Sequence, residues 1–250
     1  MNKPAIRRSF DRAAASYDSA AELQRQVCRL LLDRISGPAP QSILDAGCGT
    51  GYALGLLSQR WPGARIVAAD FAPAMLAKAG GGVCADIEAL PFAERRFDLY
   101  WSNLTVQWCD AHRTLAEAAR TLMPGSRLAM SSLGPATLCE LRDAFFDSDR
   151  HRHVLEFSPA TKLIDACEAA GLDDIDVTTQ VLRLHHASVK ELLQALKALG
   201  ANQIGRDRRP GLFGRNAWRT VEERYETRRE AAGLPASYEV ILCTATKPIS

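Results

Sequence analysis

The stretch of this chain that most constrains its fold is residues 43–51, which read Ile-Leu-Asp-Ala-Gly-Cys-Gly-Thr-Gly. An apolar run surrounds Asp45, three alternating glycines follow it, and an apolar helical pattern begins at Tyr52. Glycine allows the backbone to turn sharply and allows a ligand to approach it closely. The segment therefore predicts a strand, a tight turn and a helix at the ligand-binding edge of an open α/β sheet.

The spacing of this loop and its acidic residue indicate which ligand it binds. Gly47, Gly49 and Gly51 follow the pattern G-x-G-x-G, and Tyr52 stands where the dinucleotide fingerprint needs its last glycine. Asp45 would repel a pyrophosphate held at the helix N-terminus. S-adenosylmethionine has no phosphate and instead carries an ammonium and a cationic sulfur, which a carboxylate attracts. The loop therefore predicts S-adenosylmethionine as the cofactor.

The ends of the following strands supply further candidates for the cofactor site. Asp70 follows the second strand by sequence, where a carboxylate can accept both ribose hydroxyls, although a helix N-cap is the simpler alternative. Asp86 follows the third strand and can accept the adenine amino group. With Asp45 and the three glycines, we assign to this site the residues Asp70, Phe71, Met75, Asp86, Ile87, Asn103 and Leu104. Met75 is equally compatible with a core position.

The alternation of apolar segments predicts the organisation of the whole chain. We expect strands and helices to alternate from residue 42 to residue 132 and to continue, more loosely, to residue 246. Residues 5–35 have helical spacing. We therefore expect an N-terminal helical lid (1–40), a core (41–185 and 237–250) and a helical cap inserted before the last strand (186–236).

Composition excludes several classes of function. The formal net charge of +2 gives no general attraction for nucleic acid, and no apolar run is long enough for a membrane span. The seven cysteines are scattered without a C-x-x-C pair, which is typical of reduced thiols. The N-terminus lacks the apolar segment of a secretory signal. We therefore expect a cytoplasmic protein without a metal site.

Several segments resemble a known family. Residues 40–135 resemble the core of class I S-adenosylmethionine-dependent methyltransferases. A narrower resemblance, to the malonyl-[acyl-carrier protein] O-methyltransferases of biotin synthesis, rests on residues 8–18, 86–91, 102–109, 133–138, 199–202 and 238–240. The resemblance implies an α/β, Rossmann-like class I methyltransferase with a seven-stranded, mostly parallel sheet and an antiparallel last strand. Residues 80–82, a short Gly-Gly-Gly segment, depart from the family pattern.

The resemblance also implies a reaction and a partner. The methyl group passes to the free carboxylate of a malonyl thioester, carried by acyl-carrier protein through phosphopantetheine or by coenzyme A. A carboxylate with a reference pKa of ~4 is already ionised at neutral pH, so alignment and exclusion of water replace general-base catalysis. We assign Tyr17 to cover the methyl group. A planar arginine suits a carboxylate, so the candidates for holding it are Arg142, Arg152 and His153.

Other interpretations of these residues stay open. Tyr17 could simply anchor a helix end, and surface arginines are usually only solvated. The basic residues of the cap, among them Lys190 and Lys197, could receive an acidic carrier protein or could form a solvated face. Two alternative functions also remain. One is an S-adenosylmethionine-dependent methyltransferase of a small-molecule carboxylic acid, and the other is a cofactor-binding module without catalytic activity.

Overall fold

A computed structural model describes residues 2–146, 154–201 and 214–249 of the chain. Within these residues one seven-stranded sheet has the order β3-β2-β1-β4-β5-β7-β6. Its strands are β1 Ser42–Ala46, β2 Arg65–Asp70, β3 Val83–Cys84, β4 Phe97–Ser102, β5 Leu122–Leu133, β6 Asp173–His186 and β7 Leu234–Thr246. Only β7 runs against its neighbours, β5 and β6. The predicted fold class, with its antiparallel last strand, is confirmed.

Helices cover both faces of the sheet. They are α1 Lys3–Ala13, α2 Tyr17–Ala20, α3 Glu22–Asp33, α4 Tyr52–Arg60, α5 Pro73–Lys78, α6 Ala111–Thr121, α7 Cys139–Phe145, α8 Ala160–Ala169, α9 Val189–Ala198 and α10 Arg215–Glu226. Side chains alternate along β1, so Ile43 packs in a core with Val27 of α3, whereas Leu44 packs in a second core with Leu115 of α6. The sheet therefore lies between two apolar layers.

The N-terminal region is three helices instead of the single helical stretch that its spacing predicts. Leu23 and Val27 of α3 belong to the main core, whereas α1 packs on α5. These two docking surfaces need different helix directions, and the chain turns between them. At the turn the Ser16 hydroxyl donates to the carbonyls of Ala13 and Ala198, at 3.2 and 3.0 Å. α1 and α2 thereby come to lie over the edge of the sheet.

The C-terminal strands are longer than their sequence pattern predicts. The β6–β7 ladder continues from Asp173 opposite Thr246 to His186 opposite Leu234. The backbone hydrogen bonds of this ladder continue through polar residues. The alternation of apolar and polar residues in the sequence would place those polar residues in loops. Because β6 is parallel to β5, its C-terminal end points in the same direction as those of β1 and β4, and His186 lies nine residues beyond Val177, which is level with the end of β4. α9 and α10 lie between β6 and β7 along the chain, and the division into lid, core and cap stays a prediction.

No helix among the described residues has both the length and the apolar character that crossing a membrane requires.

Candidate active site

The glycine loop between β1 and α4 is held closely against the neighbouring strands. The amides of Gly47 and Cys48 both donate to the Ala69 carbonyl of β2, at N–O distances of 2.8 and 3.0 Å. A Cβ atom on Gly47 would lie 2.3 Å from the hydroxyl oxygen of Thr105, so a side chain there would collide. A Cβ on Gly49, where φ is +55°, would meet no protein atom within 4 Å. The loop therefore leaves space above its own backbone for a ligand.

Asp45 is a buried carboxylate without a complete set of partners. It is 1% exposed, and its Oδ2 atom accepts no hydrogen bond from the part of the chain that the structure describes. Burial, followed by the nearby charge of Asp70, raises the pKa of Asp45 to about 8. The side chain lines a cavity of about 850 Å³ with Gly47, Gly49 and Asn103, which we call the methionine cavity. A cationic group bound there would supply the interaction that this carboxylate lacks. The residues present therefore fit the ammonium end of S-adenosylmethionine.

Asp70, at the end of β2, joins the loop to the next helix. Its Oδ2 accepts from the Gly49 amide at 2.9 Å, and its Oδ1 accepts from the Ala72 amide at 2.8 Å. Burial raises the pKa of Asp70 despite these bonds. The carboxylate also lines a cavity of about 630 Å³ with Phe71 and Met75, which we call the adenosine cavity. Asp70 is not the N-cap of α5, because that position is Ala72 and has no side-chain cap. The binding of a ribose by Asp70 stays a prediction.

The far end of the adenosine cavity is closed by the N-terminal helix. Asp86 and Ile87 line it as the sequence predicts. Lys3 of α1 also lines it, and its Nζ contacts Asp86 and lies 2.7 Å from Glu88 Oε1. Sequence reasoning missed Lys3 because its partners are more than eighty residues away, and no spacing rule connects them.

Asn103 and Leu104 form a fixed turn after β4. The Ser131 hydroxyl of β5 donates to Asn103 Oδ1 at 2.8 Å and accepts from the Leu104 amide at 2.9 Å. The Asn103 amide group donates to the Gln24 carbonyl of α3 at 3.0 Å. Asn103 lines both the adenosine and the methionine cavity. The turn therefore lies at the boundary between the two halves of the predicted cofactor site.

A third and larger cavity, of about 1900 Å³, begins at this boundary and reaches β6. We call it the acceptor cavity. It shares Phe10, Leu104 and Trp108 with the adenosine cavity and Gln24 with the methionine cavity. Phe10 packs edge to face on both Phe71 and Trp108, with ring centroids 6.3 and 5.6 Å apart. Sequence reasoning did not assign Phe10 to the site, although it lies in the segment 8–18 that carries the family resemblance.

Tyr17, at the start of α2, lies where the three cavities meet. Among the described residues it is the one side chain that lines all of them. Burial raises the pKa of the Tyr17 phenol, and the charges of Asp70 and Asp18 raise it further. The hydroxyl is therefore neutral at physiological pH and can donate a hydrogen bond.

Polar contacts hold the lid helices over these cavities. Asp11 Oδ1 of α1 accepts from the Ala74 amide of α5 at 3.0 Å. Asp18 Oδ1 of α2 accepts from the Thr50 hydroxyl in the glycine loop at 2.6 Å. Arg25 donates to the Asp18 carbonyl at 2.8 Å. The lid is thus attached to both sides of the predicted cofactor site.

The structure does not bring Arg142 into the site. Its guanidinium is exposed on α7, donates to the Pro135 carbonyl at 2.9 Å, and is absent from the described lining of all three cavities. Arg152 and His153 lie outside the described residues. The assignment of these three residues to the substrate carboxylate stays a prediction. Within the described lining of the acceptor cavity, His185 and His186 are the side chains that can carry a positive charge.

The fold and this arrangement together define a class of protein. Across residues 2–146, 154–201 and 214–249 no cluster of His, Cys, Asp or Glu suitable for a metal ion occurs. An open sheet with a glycine loop, a buried carboxylate and further carboxylates at the next strand ends is the arrangement that the sequence predicts for the cofactor site of a class I methyltransferase. Residues 44–130 match the family model described as a methyltransferase domain. The chain is therefore a methyltransferase, and S-adenosylmethionine is its cofactor.

Comparison over the full chain identifies the family within the methyltransferases. A malonyl-[acyl-carrier protein] O-methyltransferase from Dechloromonas aromatica is 46% identical over 249 residues, covering 98% of this chain and 95% of the relative. The chain belongs to the malonyl-[acyl-carrier protein] O-methyltransferase family.

Two further proteins are similar to this chain, one in sequence and one in fold. The biotin biosynthesis bifunctional protein BioHC of Cellvibrio japonicus is 38% identical over 257 residues, which cover 99% of this chain and 51% of that protein. In a solved structure, phosphoethanolamine N-methyltransferase 2 of Haemonchus contortus is bound to S-adenosyl-L-methionine. It aligns with a TM-score of 0.58 at 16% identity, covering 95% of this chain and 57% of that one. At this identity the second similarity concerns the fold alone.

Proposed function

We propose that this enzyme transfers the methyl group of S-adenosylmethionine to the free carboxylate of a malonyl group carried as a thioester on acyl-carrier protein, in the synthesis of biotin. The product is a methyl ester that masks the negative charge. The observation that carries this proposal is the position of Tyr17, where both cofactor cavities open into a long acceptor cavity. The names of the similar full-length proteins support the choice of substrate.

The chain's own residues have separate tasks in this reaction. When bound, S-adenosylmethionine supplies a methyl group on a cationic sulfur. Asp45 binds the ammonium group, while Asp70 and Asp86 bind the ribose and the adenine. Phe10, Leu104 and Trp108 exclude water from the junction, because they line the adenosine and the acceptor cavity together. Exclusion of water removes the hydration shell of the carboxylate that must attack.

The nucleophile needs orientation more than activation. A malonyl carboxylate is ionised at neutral pH, so no group in the site has to remove a proton from it. The neutral Tyr17 hydroxyl can donate to one carboxylate oxygen and leave the other directed at the methyl group. Arg142, Arg152 and His153 remain predicted partners of the carboxylate, and the exposed position of Arg142 gives it no direct support.

The acceptor cavity supports a long substrate. Its described lining is largely apolar and extends from Tyr17 to the end of β6. A phosphopantetheine arm is a long chain that could occupy such a cavity, whereas a small carboxylic acid would fill only one end. We therefore expect malonyl-acyl-carrier protein, or malonyl-coenzyme A, as the acceptor in the cytoplasm.

Acceptor comparison tests this proposal. We expect methyl transfer to malonyl-acyl-carrier protein and to malonyl-coenzyme A, and much slower transfer to free malonate. Preferential methylation of free acids would favour the small-molecule alternative. Cofactor binding without transfer to any carboxylic acid would favour a binding module without catalytic activity.

A further inference from the structure

The acceptor cavity contains buried polar atoms that have no hydrogen-bond partner among residues 2–146, 154–201 and 214–249. Gln24 Oε1 and Gln107 Oε1 are unpaired, and so is Nε2 of His186. All three side chains line the cavity. Buried polar groups are nearly always hydrogen-bonded, so unpaired ones around a cavity indicate a ligand with polar groups of its own. An apolar cavity with separated unpaired polar atoms fits a chain that alternates methylenes and amides.

His186 lines the same cavity as Tyr17 but comes from a different part of the sheet. It is the last residue of the edge strand β6, which is three positions from β4 in the sheet. Along the strand direction, β6 also continues for nine residues from Val177, which is level with Ser102 at the end of β4, to His186. The carboxyl and thioester carbons of a malonyl group are only ~2.5 Å apart, two C–C bonds. His186 is therefore too far from the cofactor to contact the reacting carboxylate.

The part of the substrate that can reach His186 is the pantetheine arm. From sulfur to phosphate this arm has about thirteen bonds, which span ~15 Å when they are extended like a peptide chain. It carries two amides. A neutral imidazole nitrogen can donate to an amide carbonyl or accept from an amide N–H, depending on its tautomer.

The surroundings of His186 keep its imidazole neutral. Burial lowers the pKa of His186 below its ordinary value, and His185 lowers it further. Glu191 and Glu22 act in the opposite direction but do not reverse the shift. His185 itself differs from His186, because its Nε2 lies 2.8 Å from Glu230 Oε2 and is already paired. A neutral group suits an uncharged amide.

We propose that His186 hydrogen-bonds an amide of the pantetheine arm and thereby makes the enzyme selective for pantetheine thioesters over shorter thioesters. This inference rests on the proposed function. It assigns a substrate-recognition site at the end of β6, separate from the junction at Tyr17 where methyl transfer takes place.

A pair of acceptors tests this site. Malonyl-pantetheine carries both amides, and the malonyl thioester of ethanethiol carries none. For His186→Leu, we expect the KM for malonyl-pantetheine to rise roughly 5- to 10-fold, the effect of one lost hydrogen bond. The KM for the ethyl thioester should change less than about twofold, and kcat at saturation should stay the same for both.

Matched variants complete the test. His186→Gln keeps a hydrogen-bonding group and should recover most of the KM for malonyl-pantetheine. His112→Leu removes an exposed imidazole in the first turn of α6 and should change neither KM. Thermal unfolding and cofactor binding establish that each variant is folded. Equal changes in KM for both acceptors, or no change, would overturn the role of His186. Failure of the unsubstituted enzyme to methylate either acceptor would instead overturn the proposed function.

Discussion

The two halves of the predicted active site are built in different ways. The cofactor half carries buried or half-buried carboxylates at successive strand ends, and Lys3 and Asp18 attach the N-terminal helices to it. In the acceptor half, polar atoms of Gln24, Gln107 and His186 instead lack partners among the described residues. The first half is specialised for one charged ligand, and the second for a long, mostly uncharged chain. Variants in each half should therefore affect different kinetic constants.

The largest effect should come from Asp45→Asn. This change removes the charge that attracts the cofactor ammonium in a buried site, so the Kd for S-adenosylhomocysteine should rise roughly 30-fold or more. Isothermal titration measures the constant. Asp33→Asn, at an exposed position at the end of α3, is the control and should bind normally. An unchanged Kd for Asp45→Asn would contradict the assignment of the methionine cavity.

Tyr17→Phe should separate the two halves most sharply. The ring still closes the junction, but the hydroxyl can no longer orient the carboxylate, so kcat should fall roughly 10-fold. The Kd for S-adenosylmethionine should change little. Steady-state kinetics and titration measure the two constants. A loss of cofactor affinity with normal kcat would place Tyr17 in the cofactor half alone.

Lys3→Met should have a smaller effect, confined to the cofactor half. Lys3 contacts Asp86 and Glu88, and its side chain is partly exposed, so solvent weakens these ion pairs. Loss of the pairs loosens α1, and the Kd for S-adenosylhomocysteine should rise roughly two- to fivefold. Lys78→Met, exposed at the end of α5, should leave it unchanged. Stopped-flow measurement should show faster cofactor release only in the first variant.

The smallest effect is on how the stability of the cofactor-free protein depends on pH. The pKa of Asp45 is raised to about 8 in the folded state, so its contribution to stability is present at low pH and is lost as pH rises toward 8. Asp45→Asn has no such dependence. We therefore compare the melting temperature of the variant with that of the unsubstituted protein at each pH. This difference should shift in favour of the variant between pH 5 and pH 8, by at least about 2–4 °C. A constant difference across this range would contradict the buried, raised-pKa carboxylate.

The cofactor half was the more predictable from sequence, for a physical reason. Asp45, Asp70 and Asp86 each follow a strand, and parallel strands bring their ends to one edge of the sheet. Short-range patterns therefore placed residues that are distant in the chain beside two neighbouring cavities. Lys3 escaped prediction because no local pattern relates it to Asp86 and Glu88.

The acceptor half was less predictable because its lining comes from many separate segments. His186 is an ordinary residue at a strand end by sequence, and only the extended β6–β7 ladder places it at the cavity. Arg142 was chosen for its chemistry, and the structure instead directs its guanidinium to the Pro135 carbonyl. Tyr17 was predicted from the resemblance of its segment to a known family. The structure gives a physical reason for this choice, because three cavities meet at Tyr17.

The most direct test of the account compares two carrier proteins that differ only in the free carboxylate. Malonyl-acyl-carrier protein and acetyl-acyl-carrier protein are incubated with the enzyme and S-adenosylmethionine, and each product is measured by mass spectrometry before and after mild base. We predict that the malonyl form alone gains one methyl group, as an ester that base removes. Methylation of both forms, or of neither, would contradict carboxylate methylation at the Tyr17 junction.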